Sequence, residues 1–134
     1  MATSSGMIQT IKNIFRRLTG AKSSPVRVIL IGIDYPSHAL GKKLQEQGVE
    51  IIAFIDDEPW NHRTKMLGAT VHYPSELLAL VERYTVSEVV LFDRGSIELE
   101  GSVLEQIHRL STRIVRIDEQ QLTIEEQIAG VLVR

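Results

Sequence analysis

Residues 25–59 constrain the fold more than any other stretch of this chain. Val26-Arg27-Val28-Ile29-Leu30-Ile31 is a nearly unbroken apolar run rich in β-branched residues, the pattern of a parallel strand buried on both faces. Gly32-Ile33-Asp34-Tyr35-Pro36-Ser37 then turns into a helix with Leu40 and Leu44 on one face and Gly48 just past its end, where a left-handed cap residue belongs. Ile51-Ile52-Ala53-Phe54-Ile55 reads as a second buried strand, closed by the acidic corner Asp56-Asp57-Glu58-Pro59. Strand, helix and strand make a βαβ unit of an open parallel sheet, so a ligand belongs at the carboxyl ends of the strands.

The rest of the chain continues the alternation. Ala69-Thr70-Val71-His72 is a short third strand after a polar loop, Trp60-Asn61-His62-Arg63-Thr64-Lys65-Met66, in which Trp60 is expected to pack on the sheet edge. Pro74-Ser75-Glu76 opens a helix carrying Leu77, Leu78, Leu80, Val81 and Tyr84, with proline and an acid where a helix start wants them. Val89-Val90-Leu91-Phe92 is a fourth strand; Val103, Leu104, Ile107 and Leu110 mark a further helix, and Arg113-Ile114-Val115-Arg116-Ile117 alternates as an edge strand does. Thr123-Ile124-Glu125-Glu126 has capping-box spacing, and Ile124, Ile128, Val131 and Leu132 form a last amphipathic face for the sheet or for a twin subunit. The fold class is therefore α/β: a three-layer sandwich with a parallel sheet of about five strands in the order 3-2-1-4-5, occupying residues 26–134.

Ahead of it, residues 1–25 divide into a small polar start expected to be disordered, a helix over 7–18, and a linker. Met7, Ile8, Ile11, Ile14, Phe15 and Leu18 share one helical face, while Lys12, Arg16, Arg17 and the following Lys22 make the other side basic. That arrangement suits a membrane-surface helix drawn to anionic lipid; packing on its own domain or on a partner is the commoner origin of such a stripe. Helices at both ends favour a complete small protein over a cut piece.

Composition narrows the function classes. With 134 residues, a net charge of -2 and no cysteine, the chain is one domain without disulfides, thiolate metal sites or a cysteine nucleophile, and nucleic acid is disfavoured as a partner. No apolar run is long enough to span a bilayer. The expected setting is cytoplasmic, with peripheral contact at the inner face of the membrane as the alternative.

The segments Arg27-Val28-Ile29-Leu30-Ile31-Gly32, Leu40 with Leu44, Ile52-Ala53-Phe54-Ile55-Asp56-Asp57-Glu58-Pro59, Leu67-Gly68-Ala69-Thr70-Val71, Leu77 to Tyr84, and Val86-Ser87-Glu88-Val89-Val90-Leu91 resemble one family. It is the Rossmann-like domain, often called CoA-binding-like, that precedes the catalytic domain in membrane-anchored nucleotide-sugar dehydratases and epimerases of bacterial polysaccharide synthesis. The resemblance spans about Val26 to Ile117 and is most distinctive at the phenylalanine, acidic pair and proline. The remainder is shared with other Rossmann domains, among them the sugar-binding domain of some sialic-acid-type acyltransferases and redox-sensing repressors. It implies a site for NAD(P) or a nucleotide-sugar.

Departures from that pattern weaken the expected binding. Aligned on Gly32, the glycines of G-x-G-x-x-G fall at Gly32, Asp34 and Ser37, so only the first is kept. The second is normally bare to admit a pyrophosphate, and at about 4 Å two like charges repel by roughly 4 kcal/mol at an effective dielectric near 20. That cancels most of what a helix N-terminus offers a phosphate, so weak or absent nucleotide binding is expected. The candidate binding residues are Gly32, Ile33, Asp34, Ser37, His38, Asp56, Asp57, Arg63 and Asp93. Asp56 sits where an acid can hold a ribose hydroxyl, or else it only shapes the turn. Ser37 is expected to cap the first helix. Arg63 and Lys65 are the cations near a phosphate. Asp93 and Arg94 belong at the mouth opposite Gly32, either paired with each other, the favoured arrangement, or lining the crevice.

Catalysis is not expected. The family's neighbouring catalytic domain uses a tyrosine followed four residues later by lysine; here Tyr35 is followed by Ala39, Tyr73 by Leu77 and Tyr84 by Glu88. His38, His62, His72 and His108 show no His-x-x-x-His or His-Glu-x-x-His spacing, which argues against a metal site. A Ser-His-Asp triad from Ser37, His38 and Asp34 is not implied, since all three lie on one short turn. Three readings remain: a non-catalytic nucleotide or nucleotide-sugar binding module, accessory or regulatory in polysaccharide or glycan biosynthesis; a protein-interaction or dimerisation module that could dock on the membrane surface; and, least favoured, an enzyme using His38 and Asp34 on a small substrate. The expected protein partners are a second copy or a glycan-biosynthesis protein.

Overall fold

In the computed structural model residues 25–133 are described, and the basic helix expected over 7–18 lies outside them. Six strands form one sheet: β1 (Arg27–Ile31), β2 (Glu50–Ile55), β3 (Lys65–Met66), β4 (Ala69–His72), β5 (Glu88–Phe92) and β6 (Arg113–Ile117). Their spatial order is β3-β4-β2-β1-β5-β6, all parallel except the β3–β4 hairpin. The five parallel strands thus stand in the expected order. The sixth, β3, is a two-residue antiparallel strand inside the expected polar loop. Its neighbours Arg63 and Val71 pair through Arg63 N–H to Val71 O at 2.8 Å and Val71 N–H to Thr64 O at 2.8 Å.

The apolar runs are buried as a doubly covered sheet requires. Every residue of β5 is buried, and β1 is buried from Val28 onward. Alternate side chains enter two separate cores. Val28, Leu30, Phe54, Val71, Val90, Phe92, Val115 and Ile117 meet α1 (Tyr35–Glu46) and α4 (Ile124–Leu132) through Leu40, Leu44, Ile128, Val131 and Leu132. On the opposite face Ile29, Ile31, Ala53, Ile55, Val89 and Leu91 meet α2 (Leu77–Tyr84) and α3 (Gly101–Arg109) through Leu77, Leu80, Val81 and Ile107. The C-terminal helix therefore covers the sheet of its own chain. Its start uses the expected capping box, with Thr123 accepting from Glu126 N–H at 3.2 Å and Glu126 accepting from Thr123 N–H at 3.0 Å. At its end Arg113 donates to the carbonyls of Gly130, at 2.7 Å, and Val133, placing a cation where the helix dipole favours one.

Two glycines decide the shape of the βαβ unit. Gly32 has φ +98° at the turn out of β1, a conformation side chains disfavour. Gly41 sits inside α1 where the helix touches the sheet: a Cβ there would stand 3.1 Å from Leu30 Cδ1 and Leu67 Cδ1 and 3.3 Å from Phe54 Cζ. The close helix–sheet approach that the third glycine of the fingerprint normally permits is made here one helical turn later. Gly41→Val is expected to force α1 off the sheet and lower stability by about 1–3 kcal/mol through overpacking, read as a fall of several degrees in Tm; an unchanged Tm would show that α1 packs loosely.

Candidate functional site

The two crossovers that start from the neighbouring strands β1 and β5 leave to opposite faces, α1 to one and α3 to the other. Among the described residues no helix fills the gap this leaves at the carboxyl ends, the switch point where ligands of open α/β sheets bind. A cleft of about 870 Å³ opens there, walled by Gly32 and the first turns of α1 on one side and by Arg94, Gly95 and the segment from Glu119 to Gln127 on the other. Its volume lies in the range of small-molecule sites.

The α1 end of the cleft is a poor anion cradle for local reasons. Asp34 stands at the N-cap with extended backbone and makes no capping hydrogen bond with its side chain. Pro36, in the first turn, has no N–H, so one of the donors that a helix start normally presents to a phosphate is missing. Ser37 is not the cap; it is 2% exposed, and its Oγ donates to Gly32 O at 2.7 Å, tying the turn to the helix. Cations come instead from the side of the cleft. Lys42 and Lys43 line it from α1, with Lys43 at 3.4 Å from Glu46. Arg94 lines it from the loop after β5, its Nε 4.0 Å from Asp118 and its N–H donating to Glu119 at 3.0 Å.

The far wall holds a polar group that secondary structure does not satisfy. Gln127 of α4 is 6% exposed and lines the cleft. Its Nε2 donates to Leu122 O at 3.2 Å, whereas its buried Oε1 meets no donor among the described residues. A buried acceptor left without a donor costs about 1–3 kcal/mol, and the residue that carries it lines a ligand-sized space.

Of the residues expected at the site, Gly32, Asp34, Ser37 and His38 line this cleft; Ile33, Asp56, Asp57, Arg63 and Asp93 do not. Asp56 is buried, and its Oδ2 accepts from Asn61 Nδ2 at 2.9 Å and Glu58 N–H at 3.3 Å, which makes it the anchor of the acidic turn. Asp93 and Arg94 do not pair: Asp93 N–H bonds Ile117 O, and Arg94 turns to Asp118 and Glu119. Trp60 is 73% exposed and does not pack on the sheet edge. Lys42, Lys43, Tyr35 and Gln127 join the cleft without a local motif to announce them.

A second cluster lies at the carboxyl end of β4, outside the cleft. His62 Nε2 is 2.7 Å from Glu76 Oε1, and His72 Nδ1 is 2.9 Å from Glu76 Oε2. Glu76 Oε1 also accepts from Tyr73 N–H at 3.0 Å, and the His62 ring stacks on Tyr73 with centroids 3.8 Å apart. Hydrogen bonds from His72, from the Tyr73 backbone and from His62 push the Glu76 carboxyl down from its ordinary 4.5 to about 2, against the opposing effect of partial burial. Because an ionised carboxylate only accepts, each ring nitrogen facing it carries its hydrogen.

No family model and no curated protein matches the chain. Solved structures do. The chain is similar to UDP-D-quinovosamine 4-dehydrogenase from Vibrio fischeri, with a TM-score of 0.61 at 26% identity over 76% of this chain and 90% of that one. It is also similar to RSP, a Rex-family repressor, with a TM-score of 0.61 at 14% identity over 87% of this chain and 56% of that one. The same repressor matches in complex with beta-NADH and in complex with beta-NAD+ and operator DNA. Amine dehydrogenase from Mycobacterium smegmatis matches with a TM-score of 0.55 at 14% identity, over 81% of this chain and 36% of that one. The fold is Rossmann-like, the class these structures share.

Glu76 supplies a pH test. Its carboxyl is depressed in the folded state, so its contribution to stability is complete above the ordinary carboxylate pKa and drains as pH falls through the folded value. Glu76→Gln is expected to lower Tm at neutral pH and to flatten the fall of Tm between pH 4.5 and about 2; parallel curves for the two proteins over that window would show that the His62–Glu76–His72 bridge adds nothing.

Proposed function

We propose that this chain is a non-catalytic nucleotide or nucleotide-sugar binding module, acting as an accessory or regulatory element in polysaccharide or glycan biosynthesis. The observation that carries the reading is the switch-point cleft with the unsatisfied Gln127 Oε1 in its wall. A turn of the Gln127 side chain toward the cleft would offer this acceptor a ribose or sugar hydroxyl, or a base N–H, as its donor. With Asp34 and Pro36 at the helix start, the phosphates are assigned to the flank of Lys42, Lys43 and Arg94 rather than to the usual pyrophosphate turn. That pose forfeits most of the helix-terminus contribution and gives weaker binding than an intact glycine motif does. The likeness to a sugar-nucleotide dehydrogenase and to a repressor solved with beta-NADH supports the ligand class. The chain has no Tyr-x-x-x-Lys pair, which supports a role without catalysis.

Exposed aromatics favour a second reading. Tyr35 at 81% and Trp60 at 73% exposure follow the adjacent strands β1 and β2, and such side chains are common anchors of protein interfaces. Homodimerisation or docking on a glycan-biosynthesis protein would cover them.

The test is a thermal-shift screen of the full chain against NAD, NADH, NADP, coenzyme A, UDP and UDP-sugars at millimolar concentration. A ligand at 100 times its Kd adds roughly 2.7 kcal/mol, a shift of several degrees. Gln127→Leu is expected to leave the unliganded Tm nearly unchanged, since one hydrogen bond and one unsatisfied acceptor disappear together, and to weaken binding about tenfold. No shift with any nucleotide, together with a mass that doubles with concentration, would replace the first reading with the second.

A further inference from the structure

Sequence spacing alone argues against a metal site, yet folding brings two histidines and a carboxylate to one point. We propose that His62, His72 and Glu76 bind a divalent late first-row metal ion, Zn2+ in the first instance. One ligand atom from each of His62, His72 and Glu76 lies within 4.8 Å of the other two, and all three side chains are half-buried. Ligands at about 2.0–2.1 Å from a tetrahedral zinc stand roughly 3.3–3.4 Å apart. The His–Glu separations, 2.7 Å from His62 to Glu76 Oε1 and 2.9 Å from His72 to Oε2, open slightly on binding by side-chain rotation within a backbone that already faces them together.

That backbone is held on each side. The β3–β4 hairpin bonds Arg63 to Val71, the chain neighbours of His62 and His72. Glu76 follows His72 by four residues, and its carboxylate is oriented by the Tyr73 N–H. The Tyr73 ring fixes the plane of His62 by stacking. Held in this way, the ligands lose little side-chain freedom when the ion arrives.

Binding also requires the ligating nitrogens to be free of hydrogen. In the unliganded cluster the nitrogens facing Glu76 carry the hydrogens, so binding requires those two positions to be bare. Each neutral imidazole meets this by shifting its proton to the far nitrogen, His62 to Nδ1 and His72 to Nε2, with no net loss of protons. The ion then takes the place of two N–H bridges and brings positive charge to the ionised carboxylate. The nitrogen-rich donor set without thiolate suits zinc, cobalt, nickel or copper over calcium or magnesium. Solvent completes the coordination.

Binding is measured on the full, tag-free chain at pH 7.5 by titration with Co2+, followed by displacement with Zn2+. One equivalent of Co2+ is expected to give visible d–d bands of low-symmetry coordination, and Zn2+ to abolish them and raise Tm. His62→Gln, His72→Gln and Glu76→Gln are each expected to weaken binding at least tenfold, whereas a His38→Gln/His108→Gln double variant binds as the parent does. Histidine side-chain 15N spectra of the parent give a reading that needs no variant: Zn2+ should move His62 and His72 and leave His38 and His108 in place. The proposal fails if the bands are absent and Tm is unmoved at 100 μM metal, if binding is lost with the His38/His108 pair, or if the nitrogen shifts fall on all four rings alike.

Discussion

β1 is hydrogen-bonded along both edges, to β2 on one side and β5 on the other, and its side chains alternate between two cores that never mix. Its position dictates the rest. A strand paired on both edges and covered on both faces ends in only one free direction, toward its carboxyl end. Its own crossover and that of β5 depart to opposite faces, so that end is left open. The cleft is thus a consequence of connectivity, and the residues around it decide only what it can hold.

Those residues have moved away from the usual phosphate chemistry in a coordinated manner. Asp34 adds charge at the helix start, Pro36 removes a donor there, and Ser37 fills the position of the third glycine while spending its hydroxyl on Gly32 O. Each change alone is tolerable. Together they leave Gly32 as the one feature of the fingerprint turn still in its expected conformation, and they leave positive charge only along the flank at Lys42, Lys43 and Arg94. The geometric duty of the third glycine is met at Gly41, where an added Cβ would stand 3.1 Å from the methyls of Leu30 and Leu67. Helix packing and anion binding, which one motif serves in the intact fingerprint, are here separated.

How legible these features were in the sequence follows from the range of the forces involved. Parallel strands buried on both faces must be apolar throughout, so β1, β2 and β5 were readable as continuous runs, and the capping box at Thr123 was readable because it closes within one helical turn. β3 was not: two residues carry no period, and the hairpin exists because residues 63 and 64 meet Val71 across a turn. Ser37 read as a cap because serine at a helix start usually is one; packing of α1 buried it and turned its hydroxyl to the preceding strand. Arg94 read as a partner of Asp93, its chain neighbour, yet β6 ends alongside β5 and presents Asp118 and Glu119 to it. Gln127 and His62 carried no local signal at all, because what defines each is a residue brought in by the sheet.

The segment from Asp56 to Glu76 joins the two ends of this reasoning. Asp56 holds Asn61, and the next residue, His62, holds Glu76, which in turn accepts from His72 and Tyr73. A single chain of polar contacts therefore runs from the end of β2 to the start of α2, along the rim beside the switch point. Most of it is half-buried, where such contacts are worth more than on an open surface. The acid that would hold a ribose hydroxyl in an intact site is the first member of this chain, already committed to Asn61. An ion at the histidine end would tighten the far members and so stiffen the turn that fixes Asp56, making the β2 side of the rim a structural wall and leaving ligand contacts to the α1 and α4 sides.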